Sequence, residues 1–95
     1  MRVEYSERAI GDLNKLAADS RAFGEVVAGA VETRIREAIA QVAWDPESAH
    51  EVTQRPGVHV VPLVKFPFAI FYRVLQGRVR ILHVRHTSRF PWKGE

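Results

Sequence analysis

The sequence VHVVPLVKFPFAIFYRVLQGRVRILHVRHTSR, at residues 58–89, decides the fold because it contains three short strands joined by turns. Its first part, Val58–Val64, is rich in valine and predicts a strand. Pro62 cannot donate a hydrogen bond to a neighbouring strand, so this strand is expected at a sheet edge or at a bulge. The next part, Phe68–Leu75, is apolar almost throughout, which predicts a central strand covered on both faces.

The third strand, Arg78–Arg85, follows a two-residue Gln76-Gly77 turn, in which glycine easily adopts the positive φ that tight hairpins need. Apolar and basic residues alternate along this strand. A regular strand would place Val79, Ile81, His83 and Arg85 on one face and Arg78, Arg80, Leu82, Val84 and His86 on the other. The sequence therefore predicts a hairpin with cations on both faces.

Charge is divided unevenly along the chain, which carries a net charge of +3 over 95 residues. Residues 1–50 hold six Lys or Arg against nine Asp or Glu, whereas residues 51–95 hold eight against two. Six of those eight cations are arginine, whose planar guanidinium suits carboxylate and phosphate groups. The imbalance indicates either a solubilising basic surface or a surface for an anionic partner.

The N-terminal part of the chain predicts a short strand and a first helix. Arg2–Tyr5 alternates as a strand does, and Ser6 stands where a helix N-cap is expected. A helix of about three turns follows, with an apolar stripe at three- and four-residue spacing. The stripe comprises Ala9, Ile10, Leu13, Leu16 and Ala17. Asp19-Ser20-Arg21 is predicted to end this helix, because Asp19 or Ser20 can cap the next one.

The second helix is predicted from about Ala22 to Ala43 and has the strongest periodicity in the chain. Its buried stripe has members four residues apart, namely Phe23, Val27, Val31, Ile35 and Ile39. Trp44-Asp45-Pro46 ends it, because the residue before a proline avoids helical backbone angles. Asp45–His50 is expected to be a polar connection, and Glu51–Gln54 fits either a strand or a loop. The two helices form a hairpin that must bury its stripes against the sheet.

The predicted order is β-α-α-β-β-β, an α+β fold in which a helical hairpin packs on a small, mainly antiparallel sheet. The length favours a single domain, residues 1–95. No run of about 18 apolar residues is present, so no membrane contact is expected, and the chain opens without an apolar signal segment. Zero cysteines exclude disulfides and agree with a cytoplasmic location. The four histidines lack the spacing of metal ligands, so neither a metal nor a cofactor is expected.

Basic and aromatic residues in the C-terminal half form the candidate functional site. On a twisted sheet, the end of one strand and the tail after the next are expected to converge. The candidate target-binding residues are Arg73, Arg85, His86, Arg89 and Trp92. Such a group can hold phosphates and stack a base, or supply the acid, base and cation for RNA cleavage. The alternative is a packing role, in which Arg73 pairs with a helix carboxylate, His83 is a hydrogen-bonded core histidine and Trp92 closes the core.

Four stretches resemble the RelE/ParE toxins of type II toxin–antitoxin systems. They are the opening VEYSERAIGDLNKLA, then RPGVHVVPL, the later FPFAIFYRV and the closing RVRILHVRHTSR. The matching positions are Tyr5, Ser6, Ala9, Asp12 and Leu13, then Ile70–Val74, and finally Ile81, Leu82, Val84, His86 and Arg89. The resemblance covers nearly the whole chain and implies the same β-α-α-β-β-β fold.

The resemblance implies one of two activities, because one scaffold serves both. ParE-like members bind and poison DNA gyrase, in systems associated with plasmid stabilisation, whereas RelE-like members are ribosome-dependent mRNA endonucleases. The phrases FPFAIFYRV and HVRHTSR favour ParE. Phe90 and Trp92 stand where RelE-like enzymes usually carry a tyrosine or histidine, and neither transfers a proton. Gyrase inhibition by binding is therefore expected, with mRNA cleavage by Arg73, His86 and Arg89 as the alternative.

The resemblance also implies a partner, a ParD-like ribbon-helix-helix antitoxin whose tail wraps the toxin. An amphipathic, acidic helix suits the exposed stripe of a helical hairpin beside a basic sheet. The candidate antitoxin contacts are Leu13, Leu16, Val27, Arg73 and Arg78. Each of these residues could instead belong to the core or to free surface.

Overall fold

Two helices pack on one face of a five-stranded sheet in the computed structural model, which describes residues 1–87. The helices are α1 (Glu7–Arg21) and α2 (Glu25–Trp44). The strands are β1 (Arg2–Tyr5), β2 (His50–Glu51), β3 (Val58–Pro62), β4 (Phe68–Leu75) and β5 (Arg78–His86). The predicted α+β architecture is confirmed. The structure also contains the short strand β2, at the junction of the predicted connection Asp45–His50 and the stretch Glu51–Gln54, which fitted either a strand or a loop.

The strand order in the sheet is β1-β5-β4-β3-β2, which places β4 at the centre. All neighbours are antiparallel except β1, which runs parallel to β5. As predicted, β4 is covered on both faces. Ile70 and Tyr72 belong to the main core under the helices, whereas Ala69 and Phe71 belong to a second apolar cluster on the opposite side. We call this opposite side of the sheet the open face.

The main core lies between the helices and the sheet. Leu16 of α1 and Val31 of α2 are buried there against the sheet, and each buried aliphatic side chain contributes about 1.5–3 kcal/mol. The Tyr72 ring is fully buried, and its hydroxyl donates to the Pro46 carbonyl at 2.6 Å. Burial, followed by the nearby carboxylates after α2, raises the pKa of Tyr72 to about 12. The phenol therefore stays a neutral donor that ties the end of α2 to β4.

Helix α1 begins as predicted but ends later. The Ser6 hydroxyl accepts the Ala9 N–H at 3.0 Å, which makes Ser6 the N-cap. The predicted break at Asp19-Ser20-Arg21 is wrong, because these residues form the last turn and the Ser20 hydroxyl donates back to the Ala17 carbonyl at 3.0 Å. The chain reverses instead at Gly24, whose φ of 97° is readily adopted only by glycine.

Helix α2 buries only part of its predicted stripe. Val31 is buried, and Ile35 and Ile39 pack against the main core. Phe23 is 75% exposed, because it lies in the turn before the helix begins at Glu25. The first member of the predicted stripe is therefore wrong, since a residue outside the helix does not follow the helical period.

A bulge in β5 reverses the side-chain alternation that the sequence predicts for this strand. Tyr72 lies opposite Ile81 and Phe71 lies opposite His83, so Leu82 is an extra residue between the two pairs. After the bulge, Val84 joins the main core with Val79 and Ile81. The predicted grouping of His83 and Arg85 with Val79 and Ile81 is wrong, because a period-two pattern does not register an inserted residue. The bulge thus brings Arg78, Arg80 and Arg85 onto the open face together.

Side chains of α1 and of its N-cap cover the edge of β5 beyond the point where β1 ends. The Ser6 hydroxyl donates to the Leu82 carbonyl at 2.7 Å. The Asp12 carboxylate accepts the Val84 N–H at 3.0 Å, in the place where a strand carbonyl would stand. These two side chains satisfy backbone groups that β1 is too short to reach, and they fix β5 against α1.

Candidate binding face

The open face carries a row of four residues that lie directly opposite one another on neighbouring strands. From β3 to β1 the row is Val58, Arg73, Arg80 and Glu4. Directly opposite residues in an antiparallel pair have Cβ atoms about 4.5–5.5 Å apart, so Arg73 and Arg80 stand side by side although like charges repel there. Arg78 and Arg2 form the next pair toward the hairpin turn. We call the five charged residues Arg2, Glu4, Arg73, Arg78 and Arg80 the arginine corner.

Glu4 is the shared counter-charge of the arginine corner. Its Oε1 lies 3.0 Å from Arg78 Nε and 3.5 Å from Arg80 Nη1, and its Oε2 lies 3.5 Å from Arg2 Nη2. The hydrogen-bonded Arg78 guanidinium, helped by the charges of its neighbours, holds the pKa of Glu4 below its usual value of 4.5. One ionised carboxylate therefore serves three guanidinium groups, and the corner keeps a positive excess at neutral pH.

Arg73 is held from the other side, by the turn before β3. Its Nη1 donates to the Pro56 carbonyl at 3.3 Å. Gly57 has a φ of 81° and lies against the guanidinium, where an added Cβ would come within 2.7 Å of Nη1. The Gly57 N–H in turn donates to the Glu51 carboxylate. Among residues 1–87, no carboxylate forms an ion pair with Arg73, so its predicted pairing with a helix carboxylate is wrong.

The middle of the open face is closed by Arg55, Phe71 and His83. The His83 ring stacks on the Phe71 ring with centroids 4.6 Å apart and is only 3% exposed. Arg55 Nη1 donates to His83 Nε2 at 2.8 Å. Burial first, and then nearby guanidinium groups, lower the pKa of His83 to about 4. His83 is therefore neutral at pH 7, which confirms the alternative that it is a hydrogen-bonded core histidine.

Arg85 and His86 lie at the far end of the sheet from the arginine corner. Arg85 is opposite Ala69, four residues along β4 from Arg73, which corresponds to roughly 13 Å. The prediction that Arg73 lies close to Arg85 and His86 is therefore wrong. It assumed that the ends of β4 and β5 meet, but in this antiparallel pair the end of β5 lies beside the start of β4. Arg89 and Trp92 lie outside the described residues.

A shallow groove of about 410 Å³ opens on the sheet beside Arg85 and His86. Its floor is apolar and comprises Val52, Val60, Ala69 and Phe71, while His50 and Thr87 line its polar rim together with Arg85 and His86. The His86 ring also packs edge-on against Phe68, with centroids 4.9 Å apart. Adjacent strand residues point to opposite faces, so Arg85 lies on the open face with Ala69, whereas the His86 ring lies beside Phe68 on the helix side. His86 therefore borders the groove at the edge of the sheet.

The hairpin residues that the sequence proposes as antitoxin contacts differ in their exposure. Leu16 is only 6% exposed and belongs to the main core, so it has almost no surface for a partner. Leu13 and Val27 are half-buried against that core. Leu13 also lines a second groove of about 480 Å³ between the helices, beside Tyr5 and Ile35.

Other kinds of site find no support in the part of the chain that the structure describes. No three His, Asp or Glu side chains within residues 1–87 are grouped as the ligands of a metal ion would be. The same residues contain no helix with the length and apolar character needed to cross a membrane.

Sequence reasoning missed Arg80, Glu4 and Gly57 as members of the site. Arg80 could have been found, because counting outward from the Gln76-Gly77 turn pairs Leu75 with Arg78 and hence Arg73 with Arg80. Glu4 could not, because its position depends on the parallel pairing of the first strand with the last. Gly57 could not be found either, because its contact with Arg73 has no signal in the local sequence.

Solved structures with the same arrangement of helices and strands come from toxin–antitoxin systems. The match to the chromosomal ParDE toxin–antitoxin system from P. aeruginosa has a TM-score of 0.79 and 21% identity, and covers 93% of this chain and 97% of that one. The match to the intact E. coli RelBE toxin–antitoxin complex has a TM-score of 0.59 and 18% identity, over 93% and 98% of the two chains. The isolated E. coli RelE toxin matches with a TM-score of 0.59 and 17% identity, over 94% and 86%. The fold is therefore the one shared by ParE and RelE toxins.

The sequence assigns the chain more narrowly than the fold does. The family model for the ParE toxin of the type II toxin–antitoxin system parDE matches residues 3–91, which is nearly the whole chain. No curated protein matches the sequence. The chain belongs to the ParE toxin family, and the resemblance identified in the sequence is thereby confirmed.

Proposed function

We propose that this chain is a toxin that inhibits DNA gyrase by binding it through the arginine corner of the open face. The observation that carries the proposal is the side-by-side placement of Arg73 and Arg80, with a positive excess that Glu4 does not neutralise. Membership of the ParE toxin family supports a binding inhibitor. Burial of His83 supports it too, because this histidine is committed to Arg55 and Phe71 rather than to proton transfer.

We further propose that a ParD-like antitoxin neutralises the toxin. The similar ParDE and RelBE structures come from toxin–antitoxin pairs. Leu13 and Val27 on the helical hairpin and Arg73 and Arg78 on the sheet are the proposed contacts. The arginine corner lies on the face of the sheet opposite the helices, so the antitoxin must wrap the toxin to reach both sets of contacts. An amphipathic helix suits the groove between the helices, and acidic residues suit the basic sheet face.

RelE-like cleavage of mRNA on the ribosome is the second candidate function. The observation in its favour is the groove at the far end of the open face, whose lining includes His50, Arg85 and His86. Two imidazoles can act as acid and base, and a guanidinium can stabilise the charge that develops on a transferring phosphate. Arg73 lies too far along β4 to take part in this group.

Two assays on one preparation distinguish the candidates. We expect the purified chain to inhibit gyrase supercoiling and to leave ribosome-bound mRNA intact. Arg73→Gln with Arg80→Gln should weaken gyrase inhibition at least tenfold, roughly the loss of one charge-assisted contact. The matched control is Arg34→Gln, which removes an arginine that pairs with Glu37 on α2. Cleavage of mRNA that His86→Ala abolishes, without any effect on gyrase, would replace the proposed function with the second candidate.

A further inference from the structure

Two neighbouring arginines with one incomplete counter-charge define a small anion site. We propose that Arg73 and Arg80 form a clamp for a single carboxylate of a protein partner. The inference rests on the proposed function, because it names the chemical group that the partner brings to the arginine corner.

The first support is the distribution of charge along the row across the sheet. Glu4 Oε1 lies 3.5 Å from Arg80 Nη1 and closer still, at 3.0 Å, to Arg78 Nε. Among the described residues, Arg73 has no carboxylate partner at all. A ligand carboxylate between Arg73 and Arg80 would complete an alternating row of Glu4, Arg80, ligand and Arg73. It would also relieve the repulsion between two like charges that are directly opposite in the sheet.

The second support is that Arg73 is already held in place. Its guanidinium rests on Gly57 and donates to the Pro56 carbonyl. Only one of its nitrogens is used there, and the planar fork can still present further donors to a ligand. A side chain that is fixed before binding loses less conformational entropy when the ligand arrives, and this favours affinity. Gly57 is thus a positioning residue for Arg73.

The third support is that the corner suits an isolated carboxylate better than a nucleic-acid backbone. Each strand of a nucleic-acid duplex carries a phosphate about every 3.4 Å along the helix axis. Proteins that bind a nucleic-acid strand therefore line the path of its backbone with a continuous row of basic side chains. Here the basic surface is bounded on one side, because Glu4 borders the clamp on β1. The next cation on β5 after Arg80 is Arg85, roughly 13 Å along the sheet from Arg73. A strand long enough to reach both clusters would have to pass over the middle of the face, where the Arg55 guanidinium is engaged with Phe71 and His83.

The test uses the whole chain and two labelled probes of equal charge, a hexaglutamate peptide and a short oligothymidylate, followed by fluorescence anisotropy at low salt. Arg73→Gln and Arg80→Gln should each weaken peptide binding about tenfold, as expected for a charge-assisted hydrogen bond. Arg34→Gln, the matched control on α2, should weaken it less than about twofold. An equal loss of affinity in all three variants would show that only the overall charge of the chain matters, and it would overturn the clamp. Tighter binding of the oligothymidylate than of the peptide would make the corner a nucleic-acid surface instead.

A pair of glycine variants tests the positioning role of Gly57. Gly57 and Gly77 have φ values of 81° and 73°, so alanine strains the backbone at both, but only at Gly57 does the new Cβ meet Arg73. Gly57→Ala should weaken peptide binding about as much as Arg73→Gln and should add nothing to it in the double variant, whereas Gly77→Ala should leave binding unchanged. Equal losses in both glycine variants would show backbone strain rather than a lost position and would overturn this role.

The clamp and the proposed function fail in different ways. A wild-type chain that binds hexaglutamate with the expected variant pattern but leaves gyrase active would keep the clamp and remove gyrase as the partner. A chain that inhibits gyrase equally well with and without Arg73 and Arg80 would keep the function and remove the clamp from it. Urea unfolding of every variant confirms that each comparison is made between folded proteins.

Discussion

The arginine corner and the middle of the open face use the same type of side chain in opposite ways. In the corner, the Arg80 side chain is 44% exposed and shares one carboxylate with Arg78. In the middle, Arg55 covers the Phe71 ring and donates to a histidine that is almost fully buried. The first arrangement leaves hydrogen-bond donors for a partner, whereas the second uses its cation to complete the structure. The contrast shows that the number of arginines in a strand-rich segment does not locate a binding site until their neighbours are known.

The largest expected effect is a loss of stability caused by a substitution in the middle of the open face. Phe71→Ala removes the ring on which His83 stacks and which anchors the second apolar cluster. We expect the free energy of unfolding to fall by about 3–5 kcal/mol, measured by urea denaturation. The matched control is Phe23→Ala, at a phenylalanine that is 75% exposed, which should change stability by less than about 0.5 kcal/mol. Similar losses in both variants would contradict the structural role of the middle.

The second largest expected effect is on the pH dependence of stability, which differs between the middle of the open face and the arginine corner. The pKa of His83 is lowered from 6.5 to about 4 in the folded chain, so the unfolded chain takes up a proton first on acidification. The stability from neutral His83 is therefore complete above about pH 6.5 and is lost as the pH falls toward 4, by up to about 3 kcal/mol. In the corner, the lowered pKa of Glu4 acts in the same direction but only below its usual value of 4.5.

Urea midpoints measured between pH 7 and pH 5 check this prediction. His83→Gln should flatten the dependence in that range, while His50→Gln, at an exposed histidine, should leave it as in the wild type. A wild-type chain that is equally stable at pH 7 and pH 5 would show that His83 is not held in its neutral form.

The smallest expected effect on stability is in the arginine corner itself. Glu4→Gln removes the shared carboxylate, and because the ion pairs are at the surface, the urea midpoint should hardly change. Hexaglutamate affinity should rise, since the positive excess of the corner increases. Glu37→Gln, which releases Arg34 on α2, is the control and should not raise that affinity. A large loss of stability in the Glu4 variant would show that the arginine corner stabilises the fold, as the middle of the open face does.

Much of the fold follows from local patterns because those patterns are strong. Phe68–Leu75 is apolar almost throughout, and its bounds as a strand are as predicted. Ser6 and the stripe after it give the start of α1 in the same way. The end of α1 does not follow, because Asp19 and Ser20 are good caps that remain inside the helix, and the turn depends on the positive φ of Gly24.

The candidate site could be predicted only in part, because it depends on pairings across the sheet. Arg73 was proposed from the sequence and lies in the arginine corner, whereas Arg85 belongs to the other end of the face. Nothing around Leu82 marks it as a bulge, since a leucine suits either side of a half-buried strand. Its effect on the direction of every later side chain in β5 becomes visible only when the strand is paired with β4.

The carboxylate of Asp12 has a consequence for how this sheet resists association. By accepting the Val84 N–H, it occupies a position that the backbone of a foreign strand would otherwise take. Exposed strand borders are the usual starting points for self-assembly into aggregates. One aspartate on a helix thus blocks part of that border with a charge, in a chain whose opposite border ends in a two-residue strand.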